Sequence, residues 1–109
     1  MSDFVIKEGD RDPAIEATLQ RGGSPYDLSV ARRVDIIIGA LRDPPIVDAR
    51  ATITDAATGT VQYVWQSGDT DEPGTYRTEW VVTTNSGAEA TFPDDGYKIV
   101  KIQPEVDRQ

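Results

Sequence analysis

The sequence contains no cysteine, no histidine and a single methionine among its 109 residues. Without cysteine there is no disulfide framework, and the redox compartment leaves no trace in the chain. Without histidine, the side chain that titrates nearest neutral pH is missing, and with it the commonest metal ligand. Long apolar runs are missing too. No stretch approaches the ~20 apolar residues that cross a bilayer as a helix, so no membrane is expected. The opening "MSDFVIKEGD" has no basic region leading into an apolar run, so export by the general secretory route is not expected.

Positive charge is scarce. Eleven Lys and Arg oppose nineteen Asp and Glu, for a formal net charge of −8. Such a surface repels phosphate backbones, which argues against nucleic acid as a partner. Thirteen of the acids are Asp, and Arg outnumbers Lys eight to three. That balance fits a halophilic protein kept soluble by compact hydrated carboxylates. An acidic protein from a GC-rich genome would share it. The length suits one domain, residues 1–109, with 1–3 and 104–109 expected to fray. A chain of this size buries roughly two-thirds of its unfolded surface, enough for one core without metal or disulfide.

What is present is alternation with a period of two, which predicts strands. "FVIK" is short and extended. In "AIEATLQ", Ile15, Ala17 and Leu19 share one face. "RGGSPYD" reads as a loop, and "DLSVARR" as at most one helical turn, capped by Asp27 or Ser29, with Leu28 plugging the core. "RVDIIIGAL" points Val34, Ile36 and Ile38 inward, and "VDARATIT" points Ala49, Ala51 and Ile53 inward. "DAATGT" is a hairpin loop with Gly59 at a positive φ. Val61, Tyr63 and Trp65 then face inward, followed after a polar corner by Tyr76, Thr78, Trp80 and Val82. "YKIVKI" ends the pattern with no clear inward side. The prediction is an all-β, two-sheet β-sandwich of seven to eight strands, because each sheet has an apolar face to cover. "DEPGTY" adds a detail. Glu72, Gly74 and Tyr76 resemble the acid-x-Gly-x-Tyr corner of immunoglobulin-like sandwiches, where the tyrosine hydroxyl turns back to the preceding backbone.

Chemistry finds little to work with. "GDTDE" and "PDDG" make Asp69, Asp71, Asp94 and Asp95 weak candidates for a calcium site. Neither loop has EF-hand spacing, and acids in such loops are ordinary turn residues. Glu16 and Glu79 fall on outer strand faces, unlike a glycosidase pair in a cleft. Ser24, Ser29, Ser67 and Ser86 lie in or beside turns with no histidine to activate them. No GK[ST] or GxGxxG follows a strand. The expectation is a protein that is not an enzyme and holds no cofactor. Ile37, Val64 and Val81 break the polar alternation of their outer faces. Ile37 and Val81 would share one sheet, which makes these residues interface candidates.

The runs "GDRDPAIEATLQRGGSPYDLS" and "ATITDAATGTVQYVWQSGDTDEPGTYRTEWVVTTNSGAEATFPDDGYKIVKI" together resemble the N-terminal domain of phage baseplate upper proteins. The matching pieces are Pro13, Ile15–Leu19, Gly23–Pro25, Asp27–Leu28, Asp55–Gly59, Gly74–Tyr76 and Phe92–Tyr97. "SVARRVDIII" departs from that family's pattern, and a receptor-binding region behind the domain is not expected. The resemblance implies an immunoglobulin-like domain in a tailed virus, non-enzymatic, assembling in the baseplate, tail or head–tail region. It would be made in the host cytoplasm and contact other virion proteins, forming a homo-oligomer within the particle. A capsid decoration or turret protein would look the same. A carbohydrate-binding adhesin would need exposed aromatics such as Tyr26 or Tyr97.

Overall fold

A computed structural model of the chain describes residues 4–40, 44–92 and 99–104. Ten strands follow one another: β1 (Phe4–Lys7), β2 (Ile15–Thr18), β3 (Gln20–Arg21), β4 (Ser24–Pro25), β5 (Ala31–Gly39), β6 (Val47–Asp55), β7 (Thr60–Tyr63), β8 (Gly74–Thr84), β9 (Glu89–Phe92) and β10 (Ile99–Gln103). They form an immunoglobulin-like β-sandwich. The positions expected to fray at 1–3 and 105–109 lie outside the described residues, as do Asp94, Asp95 and Tyr97.

The larger layer runs β1-β10-β8-β5-β6, with β9 alongside the far half of β8; the path continues through β7 to β2 in the smaller layer. Two discrete sheets were the simplest expectation. Instead β6 serves both layers. Its Val47–Ala51 half pairs with β5, and residues from Thr52 onward pair with β7 across a register irregularity between Ile53 and Asp55. β1 closes the large layer by pairing in parallel with β10. The segment after β1 crosses to the small layer and is held there: the Thr70 hydroxyl donates to the Asp10 carbonyl at 2.9 Å and the Trp65 indole to the Pro13 carbonyl at 3.1 Å.

Alternation puts one face of each strand into a common interior. Ile15, Val34, Ile36, Ile38, Val61, Val82 and Val100 are fully enclosed, and Trp65 and Trp80 are each only 1% exposed. Val100 and Ile102 settle the inward side of β10, which the sequence left open. The edge of Tyr26 meets Phe92, and Tyr63 meets Trp65 at 81°, both favourable ring geometries.

Three local expectations are corrected. "DLSVARR" holds no helical turn. Asp27 Oδ1 accepts the Ser29 N–H at 2.8 Å, which turns the chain, and the Leu28 N–H donates to Ala56, which pins it across the β6–β7 hairpin. The arginines then enter β5 through a bulge between Ala31 and Arg33. Leu28 still plugs the interior, at 2% exposure. "RGGSP" is not a plain loop but a miniature hairpin, β3 against β4, turning through Gly22 and Gly23. "AIEATLQ" is not one strand: at Leu19 the N–H leaves the ladder and donates to the Gly59 carbonyl at 2.8 Å.

Candidate functional site

The outer face of the large layer is the surface to which β5, β8 and β6 bring unusual residues together. Along β5 and β8 the register sets Asp35 opposite Val81 and Ile37 opposite Glu79, so Ile37 and Val81 are diagonal neighbours on one face. β6 adds Arg50 beside Asp35 and Asp48 beside Ile37. β10 sets Ile99 beside Arg77. Ile37, Val81 and Ile99 are half-buried, sunk between exposed charged neighbours rather than standing free. Arg33 Nε donates to Asp35 Oδ2 at 2.9 Å. Val64 does not join this face. It lies beyond the end of β7 in the smaller layer, 54% exposed, and its displacement follows from the chain's leaving the ladder before the next corner.

The corner ahead of β8 is the second feature. The Tyr76 hydroxyl donates to the Glu72 carbonyl at 2.8 Å. A Cβ on Gly74 would stand 3.1 Å from that same hydroxyl oxygen. Burial, and then the negative charge of Glu72, raise the Tyr76 hydroxyl above its ordinary pKa. Beside it opens a cleft of about 530 Å³ lined by Ala40, Pro44, Ile46, Glu72, Gly74, Thr75 and Tyr76. Glu72 is the only carboxyl among these described lining residues.

Of the candidate cation ligands, Asp69 is engaged with the protein itself. Its Oδ2 accepts the Tyr63 hydroxyl at 2.6 Å and the Gln66 N–H at 2.8 Å. Burial first, then the bond to and charge of Asp69, push the Tyr63 hydroxyl far above its ordinary range. Asp71 is exposed at the start of the next bend. Among the described residues no three acids gather where a cation would sit. The chain holds no histidine or cysteine, and its single thioether, that of Met1, lies outside the described residues.

The described aromatic residues are turned away from solvent. Trp65, Trp80, Tyr63 and Phe92 are buried, and Tyr26 is half-buried, with the Arg21 guanidinium 5.5 Å from its ring centre. The inner face of β8 holds something the sequence did not signal. Thr78 Oγ1 and Trp80 Nε1 are buried, and neither has a hydrogen-bond partner among the described residues. A threonine and a tryptophan at alternate positions look like ordinary core material, so alternation alone cannot reveal such unpaired groups.

No protein-family model matches the chain. No curated protein matches it either. Solved structures do match, among them CopC from Methylosinus trichosporium OB3b, with 12% identity over 100% of this chain and 91% of that one, at a TM-score of 0.54. At this identity the likeness shows the sandwich fold alone. It also corrects the expected role. CopC, a neighbour that shares the fold, has no link to a virus particle, and nothing points to a virion, whether baseplate, tail or capsid. The physical reason lies in the residues behind that expectation. Pro13, Gly59, Gly74 and Tyr76 build turns and a corner, which a sandwich needs whatever its task.

Proposed function

We propose that this chain is a non-catalytic docking module that holds a protein partner on the outer face of its larger layer. The observation that carries the reading is the convergence of Ile37 and Val81 at diagonal positions of β5 and β8, framed by Asp35, Asp48, Arg50, Arg77 and Glu79. An apolar centre within a polar, charged frame is the anatomy of a protein interface. The lack of histidine and cysteine supports the same reading, as does a cleft with one carboxyl. Nothing in it draws on a ligand of CopC, because likeness of fold carries no binding residues.

A photo-crosslinking side chain at Thr91, on β9 beside Val81, tests the proposal against the same group at Glu16 on β2. In cells producing the protein, a discrete crosslinked protein is expected from Thr91 and not from Glu16. Ile37→Ser with Val81→Ser should remove it while leaving the far-ultraviolet β spectrum unchanged. Equal labelling from both positions would overturn the reading.

A further inference from the structure

The outer face carries an internal repeat. β5 presents Arg33, Asp35 and Ile37; β8, running the opposite way, presents Arg77, Glu79 and Val81: base, acid, aliphatic at the same spacing. Ile36 pairs with Trp80, and a local two-fold axis through that pair, normal to the sheet, exchanges the two triplets. The halves differ in one respect. Arg33 is bonded to Asp35 at 2.9 Å, whereas among the described residues Arg77 and Glu79 show neither a hydrogen bond nor an ion pair. One base and one acid, two residues apart on one strand, stand ready for groups from outside.

Charge says what those groups belong to. On this face, β1, β5, β6, β8 and β10 present Lys7, Arg33, Arg50, Arg77 and Lys101, and β5, β6, β8 and β9 present Asp35, Asp48, Glu79 and Glu89. Among the described residues of this face, five bases against four acids leave one positive charge net, so all other residues of a chain of net charge −8 together carry nine negative ones. Two such acidic molecules repel overall, and the balanced face is a place where that repulsion is weak. An acid and a base on one strand are also self-complementary. A two-fold axis lying across β8 between Arg77 and Glu79 sets each Glu79 against the other copy's Arg77. The same axis brings Ile37 toward the position of Gly39 in the other copy, and there Pro45 covers the surface, 3.0 Å from where a Cβ would be. Two reciprocal ion pairs on β8 thus stand beside two symmetry-related apolar contacts on β5. Resting on the docking reading above, we infer that the partner on this face is a second copy of the chain, joined as an isologous dimer through Glu79, Arg77 and Ile37.

Sedimentation velocity on the purified chain, from micromolar to about 1 mM, reads the outcome. The wild type should sediment as a dimer at the upper concentrations. Glu79→Arg and Arg77→Glu should each sediment as monomers, because each places like charges in contact. Mixed in equal amounts, the two variants should recover the dimer, since the Arg pair of one meets the Glu pair of the other. Ile37→Glu, which alters neither ion-pair residue, should stay monomeric alone and in every mixture. A wild type that remains monomeric to 1 mM overturns the second-copy inference and leaves the docking face to the crosslinking result. Dimers that persist in Glu79→Arg, Arg77→Glu and Ile37→Glu place the self-contact elsewhere and overturn the second-copy inference, the docking face again being decided by the crosslinking result. Failure of the mixture to recover overturns the reciprocal pairing.

Discussion

Tyr76 shows what one polar atom does at the margin of an apolar interior. Its ring is buried while its hydroxyl satisfies the Glu72 carbonyl at 2.8 Å. Tyr76→Phe removes the donor and leaves the carbonyl short of a partner, so a loss of roughly 1–2 kcal/mol is expected in urea unfolding. Gly59 is more exacting. It turns the β6–β7 loop at φ 74°, and a Cβ there would fall 2.6 Å from the Tyr26 carbonyl oxygen and 2.7 Å from that of Leu19. Both obstacles are backbone, so Gly59→Ala should cost on the order of 3 kcal/mol or more, read as a fall in the urea midpoint. The tyrosines also set an alkaline limit. Tyr63 and Tyr76 hold their protons more tightly folded than unfolded. Their contribution is fully present below pH 10, the unfolded value, and drains away as pH rises above it. The urea midpoint should therefore drop between pH 9 and pH 11, and drop less in Tyr63→Phe.

At the scale of the strand, β8 joins most of what matters: the corner at its start, the proposed docking residues on one side, and the unpaired Thr78 and Trp80 groups on the other. Thr78→Val keeps the shape and deletes a buried hydroxyl without a partner, so a gain of about 1 kcal/mol is expected in thermal or urea unfolding. The long strands were legible because Val34, Ile36 and Ile38, or Val61, Tyr63 and Trp65, alternate with polar neighbours, and a pleated strand buries every second side chain. Failures of that reading have local causes. Asp27 and Leu28 carried capping and core signals that fit a helical turn equally well, and bonds to Ser29 and Ala56 decided for a bend. The β3–β4 hairpin was hidden because two residues per strand leave no periodicity to see. The parallel pairing of β1 with β10 joins opposite ends of the chain, a contact that no local pattern encodes. The candidate face was half legible. Ile37 and Val81 broke the alternation on their own strands, but Val64 broke it too, and only register separates them.

For the whole molecule, the net charge of −8 opposes compaction. Raising NaCl from about 0.05 to 0.5 M shortens the Debye length from roughly 14 to 4 Å and should raise the urea midpoint of the monomeric Ile37→Glu variant. An unchanged midpoint would mean that the carboxylates already lie too far apart to repel. The expectation of a halophilic protein rests on composition alone, whereas the docking reading rests on where strands place particular side chains. That difference explains why the fold could be read and the role could not: apolar spacing fixes which residues turn inward, while function depends on outward residues that the fold leaves free to vary. The double membership of β6, bonded to β5 by its first half and to β7 by its second, has a mechanical meaning. A load applied to the larger layer passes through a continuous backbone into the opposite one, so neither can peel away alone. Under stretching or in amide exchange, the two halves of the body should yield together as one brittle unit.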